Sequence, residues 1–134
     1  MQEPHEWTFT DGWILMSVYL THGDDGASLC EVIGAADAMN HAIPTSGELS
    51  RSLTRLASRG VLHEIDGKYK IVDKYLPKIS KANAGKGGLF ETPQRGKAWL
   101  MRTTLASNEE FTIHVADKQL ADAYQLYRGL LRRK

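Results

Sequence analysis

Apolar positions along the chain fall into two periodicities that meet near residue 60. Before it, Leu49, Leu53 and Leu56 recur at intervals of four and three, with Ala57 beside them. On a helix turning about 100° per residue they form one narrow stripe, which must face a core. The opposite face carries Arg51, Thr54, Arg55 and Ser58, flanked by Glu48 and Arg59. Thr45 and Glu48 stand at capping-box spacing, with Ser46 as a rival cap. Gly60 is the natural left-handed stop. A helix over 45–59 follows.

Past Gly60 the spacing shortens to two. VLHEI and KYKIV flank Asp66-Gly67, and Asp-Gly between short apolar runs predicts a two-residue type I′ hairpin. That turn pairs Ile65 with Lys68 and Leu62 with Ile71. Leu62, Glu64, Tyr69 and Ile71 then share the inner face, with Glu64 at its wet edge, and His63, Ile65, Lys68 and Lys70 share the other.

Upstream, Trp7 and Phe9 anchor a lead-in, and Asp11 is placed to cap a helix from Gly12 to about His22 that is apolar nearly all round. Ser28 caps the next, Leu29 to about Asn40, with Asp37, Asn40 and His41 read as fixing the following turn. Downstream, Asp73 caps a short helix through Lys81, and AGKGG is a connection without phosphate-loop spacing. Thr92-Pro93 opens a helix to about Leu105, whose first turns Gly96 weakens. SNEE reads as a turn, FTIHV as a strand or extended approach, and Asp117 caps a last helix. That helix stripes Leu120, Ala123, Tyr124, Tyr127, Leu130 and Leu131 and ends in Arg132-Arg133-Lys134.

The stretch RSLTRLASRGVL, followed by a turn and GKYKIV, resembles the recognition helix and wing of bacterial winged-helix regulators of the broad multiple-antibiotic-resistance and phenolic-acid-repressor type. The likeness covers residues 11 to 72. The whole chain is also similar to small uncharacterised bacterial winged-helix proteins. The wing departs from DNA-reading members in its short, bare Asp-Gly tip. The resemblance implies a mostly α fold with a small β-hairpin: a lead-in over 1–10, a winged helix-turn-helix body over 11–72, and C-terminal helices over 73–134 that pack on the body or form a dimer interface, all in one domain.

Charge adds an asymmetry. The first fifty residues hold eight acids and no Lys or Arg; the rest holds all 17 Lys and Arg. Such a dipolar chain can offer one basic surface to phosphate, although its pI of 7.9 is below the usual nucleic-acid footprint. A single cysteine, Cys30, excludes an internal disulfide and a cysteine-built zinc site. The start lacks signal-peptide features and no run is long enough to span a membrane, so a cytoplasmic protein is expected.

No nucleophile with its base, coupled carboxylate pair or metal-ligand spacing is visible, and the five histidines are scattered. The expectation is therefore no enzyme and no cofactor. The sharper functional expectation is sequence-specific binding of double-stranded DNA by the 45–59 helix in the major groove. Ser46, Glu48, Arg51, Ser52, Thr54 and Arg55 are its candidate contacts, with His63, Lys68 and Lys70 of the wing on the backbone. A homodimer would bring Leu120, Tyr124, Tyr127 and Leu131 together across a two-fold axis. The alternative is a winged-helix protein-interaction module that leaves DNA alone.

Overall fold

The computed structural model describes residues 6–85, 87–105 and 108–132. The start of the lead-in, Lys86, Ser107 of the SNEE turn and the terminal Arg133-Lys134 lie outside the described residues. The fold is mostly α with one small antiparallel hairpin. Helices α1 (Phe9–Thr21), α2 (Leu29–Asn40) and α3 (Ser46–Ser58) come first, then strands β1 (Leu62–Ile65) and β2 (Lys68–Ile71). A 3₁₀ turn at Asp73–Tyr75 runs into α4 (Leu76–Asn83), and another at Leu89–Glu91 into α5 (Thr92–Arg102). An extended stretch then leads to α6 (Asp117–Arg132).

Local chemistry explains most boundaries. Thr45 and Glu48 close a reciprocal capping box on α3, and Ser28 and Glu31 do the same on α2. Gly60, with φ 76°, follows α3, and Asp66 and Gly67 both take positive φ in the hairpin turn. The strand register is the predicted one, Leu62 opposite Ile71 and Ile65 opposite Lys68.

Three caps differ from expectation. Asp11 does not cap α1: Thr8 does, and Asp11 is the third helical residue, returning a bond to the Thr8 amide. The helix therefore begins at Phe9, because Thr8 and Asp11 satisfy each other's orphan donors one turn earlier. Asp73 and Asp117 are the first residues of their elements rather than caps. Helix α5 stops at Arg102, three residues short of the predicted end.

Helix α1 runs through the middle, buried continuously from Asp11 to Val18, and packs on α2, α3 and α5. Leu49, Leu53 and Leu56 of α3 are fully buried in the same core. That core draws side chains from Trp7 to Ala123, so the second half of the chain is part of the body rather than laid over it. Where α1 crosses α5, a Cβ on Gly12 would stand 2.5 Å from the Lys97 amide, and one on Gly96 2.5 Å from Met16 Cγ. Gly96, predicted to weaken its helix, is what allows the two backbones to approach. Beyond the hairpin, Tyr69 exchanges both backbone bonds with Ala27, at 2.7 and 2.8 Å, so one residue before α2 extends the sheet on the β2 side.

Candidate functional site

The outward face of α3 is filled by the chain itself. Ser50, Thr54 and Ser58 lie four residues apart and so form one row along the helix. The extended stretch before α6 lies along this row, and each hydroxyl engages both backbone groups of one of its residues. Ser50 Oγ accepts from Val115 N at 2.8 Å and donates to its carbonyl at 3.4 Å. Thr54 Oγ1 accepts from Ile113 N at 2.9 Å and donates to its carbonyl at 3.0 Å. Ser58 Oγ meets Phe111 at 3.4 and 3.3 Å, and the Ser58 carbonyl accepts from Glu109 N at 2.9 Å.

The two periods fit because four helical residues rise about 6 Å and two extended residues about 6.6 to 6.8 Å. Alternation then sends the side chains of Ile113 and Val115 inward, where both are buried, while Thr112 and His114 face out. This stretch, here called the strap, is the expected extended approach. Its pairing with the hydroxyl row is a finding of the structure, although Ser50, Thr54 and Ser58 at i, i+4 and i+8 are visible in the sequence.

Ser52 was expected on the DNA-facing surface and is instead fully buried, its Oγ donating to Asp11 Oδ1 at 2.8 Å. It lies one step round from the leucine stripe, facing α1. Arg55 is also turned inward. Its Nη1 pairs with Asp11 Oδ2 at 2.7 Å, its Nη2 donates to the Glu6 carbonyl at 2.9 Å, and its guanidinium lies 4.9 Å from the Trp7 ring centroid. Asp11 is fully buried and takes three donors: the Thr8 amide, Ser52 and Arg55. Ser46 donates to the Asp117 carboxylate, Glu48 is spent on the cap, and Arg59 reaches the Leu105 carbonyl at 3.1 Å. Arg51 alone of the six expected α3 contacts is exposed with no partner among the described residues.

The hairpin is no more cationic. His63 and Lys68 are exposed, but Lys70 Nζ donates to the Asp24 carbonyl at 2.9 Å. Asp24, Asp25 and Asp66 line the same hollow as Lys68 and Lys70, so acids from the loop before α2 and from the hairpin turn offset the hairpin lysines.

Basic charge collects elsewhere. Lys78, Lys81 and Arg102 line a cleft of about 470 Å³ between α4 and α5, above Trp99 and Thr103, with no acid among the described residues of its walls. A second hollow, of about 500 Å³, lies between α3 and the start of the strap and mixes Arg55 and Arg59 with Glu109 and Glu110.

Helix α6 folds back on its own chain. The Tyr127 ring covers Gly34, and its hydroxyl donates to Asp37 Oδ2 at 2.7 Å. Burial first, then that hydrogen bond and the Asp37 charge, pushes the Tyr127 hydroxyl up to about 12. Asp37, predicted to fix a turn, thus anchors α6 instead. Leu120 also packs on the core, so Leu120 and Tyr127 are committed within the chain rather than free for a dimer contact. Tyr124 is half-buried, while Leu131 is exposed together with Leu126 and Leu130.

Burial raises the Cys30 thiol, with Glu31 adding to the effect, which opposes a nucleophilic role. Among the described residues no group of His, Cys, Asp and Glu is placed to hold a metal ion, and no helix is long and apolar enough to cross a membrane. The chain matches no family model, no curated protein and no solved structure.

Proposed function

We propose that the chain is a winged-helix protein used for contact with another protein, and that it does not read DNA through α3. The element order supports the winged-helix part: α1, a one-residue strand at Ala27, α2, α3, then a hairpin that Ala27 joins as a third strand. The observation that carries the functional part is the strap seated on the Ser50, Thr54 and Ser58 row. A helix entering the major groove must present that face bare. Here the face is occupied by backbone, and Arg55 is neutralised by Asp11. The reading takes the protein as cytoplasmic and non-enzymatic.

One observation favours a second reading, in which DNA is held by its phosphates alone. Lys78, Lys81 and Arg102 form a cationic cleft away from α3 with no acid among its described lining residues, and phosphate contacts need charge rather than a reading helix. A homodimer remains part of either reading, with its contact moved to Leu126, Leu130 and Leu131 on the outer flank and end of α6.

Anisotropy titration of labelled duplexes from genomic fragments, at two salt concentrations, tests these readings. The protein-contact reading expects binding no tighter than the roughly 10⁻⁴ M of weak non-specific association. Tight binding lost in Arg51→Ala would restore α3 as a DNA reader, and tight binding lost in Lys78→Ala with Lys81→Ala would establish the phosphate cleft.

A further inference from the structure

Two open backbone edges face one groove beside α3. In the hairpin, Tyr69 turns its N–H and C=O away from β1 to meet Ala27. Its cross-strand partner Glu64 forms a non-hydrogen-bonded pair with it, and so does Leu62 with Ile71. Glu64 and Leu62 therefore turn their backbone groups to the outer side of β1, where no described residue takes them up. On the strap, residues 111, 113 and 115 turn theirs to the α3 hydroxyls. The alternation of an extended chain sends those of Thr112 and His114 the other way, again without a partner among the described residues. Between the edges lies a groove of about 170 Å³, lined on one side by Leu62, His63 and Glu64 and on the other by Phe111, Thr112 and Ile113, with Ala57 between them.

We propose that this groove takes an extended peptide of a partner protein as an added strand, bonded to β1 on one side and to the strap on the other. The sheet would then run Ala27, β2, β1, peptide, strap. Main-chain bonds supply affinity in such additions, and alternate side chains supply selectivity. The charge at the groove sets that selectivity. Glu64 is the exposed acid in its lining and has no ion-pair partner among the described residues, whereas Glu109 and Glu110 line the neighbouring hollow with Arg55 and Arg59. The half-exposed Phe111 ring and Ala57 offer apolar contact. The matching peptide alternates Lys or Arg with small apolar residues. This proposal rests on the protein-contact reading above and names the partner's chemistry.

The test uses the full chain and three labelled heptapeptides: alternating Lys and Val, alternating Glu and Val, and the Lys/Val peptide N-methylated at alternate amides. The Lys/Val peptide is expected to bind, and the other two at least about tenfold more weakly, a factor worth roughly one backbone hydrogen bond. Its binding should shift the amide resonances of Leu62, Glu64 and Thr112. Thr112→Pro removes one groove-facing donor and should weaken binding about tenfold, while Glu64→Lys, which leaves the backbone alone, should abolish the preference for the cationic peptide. Equal binding of the N-methylated peptide overturns the added strand. Failure of all three peptides, in a protein that also leaves DNA unbound, overturns the groove and leaves the protein-contact reading standing. DNA binding lost with Arg51→Ala overturns that reading itself.

Discussion

Ser52 and Asp11, 41 residues apart in sequence, meet at 2.8 Å with both side chains fully buried. Their bond ties α3 to α1, and Arg55 closes the same carboxylate from the solvent side. Asp11→Ala would leave Arg55, whose side chain is 20% exposed, facing a void beside an unpaired Ser52. We expect a loss of about 3 to 5 kcal/mol, as for breaking other buried ion pairs. Urea unfolding measures it, and a loss under about 1 kcal/mol would mean that water replaces the carboxylate.

The α1–α5 crossing gives an ordered series. Gly12→Ala drives a methyl into the Pro93 carbonyl and the Lys97 amide, which are backbone and cannot swing away. Gly96→Ala meets chiefly the flexible Met16 side chain, with the Gly12 carbonyl at 2.9 Å. Overpacking costs about 1 to 3 kcal/mol, and Gly12→Ala should cost more than Gly96→Ala. Gly129→Ala has open space in α6 and should stabilise by about 0.4 to 1 kcal/mol. Thermal melts of the three variants check the order.

Much of this was legible in the sequence where the determinant is local. The Thr45 box, the Asp66-Gly67 turn and the leucine stripe each lie within a few residues of what they control, and each is found in place. What was missed is set by partners far along the chain. Ser52 looks like a surface serine until α1 delivers Asp11 to it. Tyr127 looks like an interface residue until α2 offers the bare backbone of Gly34 and the Asp37 carboxylate. The hydroxyl row on α3 was readable as a spacing, but a row of serines and threonines on a helix does not say that a strand will come to lie on it.

Thr54 is the middle rung of that row. Thr54→Val keeps the shape and removes both bonds to Ile113, leaving its N–H and C=O without their partner. Loss of about 1 to 3 kcal/mol is expected. Amide hydrogen exchange should show Ile113 and Val115 losing protection while the α3 amides keep theirs, and unchanged exchange at Ile113 would mean that the strap is held by its apolar side chains alone.

Alkaline pH should loosen two points of the fold. Burial, with Glu64 adding to it, pushes the Tyr69 hydroxyl up to about 12, and Tyr127 also lies near 12, against an ordinary value of 10.0. Because both folded values lie above the unfolded one, the stability these groups contribute is whole below pH 10 and is lost as pH rises from 10 toward 12. Spectrophotometric titration should show late-ionising tyrosine, with its amplitude reduced in Tyr69→Phe and in Tyr127→Phe.

The strap's bonds to the α3 hydroxyls span 53 to 65 residues of sequence. At ribosomal rates of about 5 to 20 residues per second, the middle rung waits roughly 3 to 12 s between synthesis of Thr54 and arrival of Ile113. Through that interval α3 can already be formed on α1, with its three hydroxyls in water. A chaperone or partner meeting the growing chain then encounters a surface that the finished protein has covered.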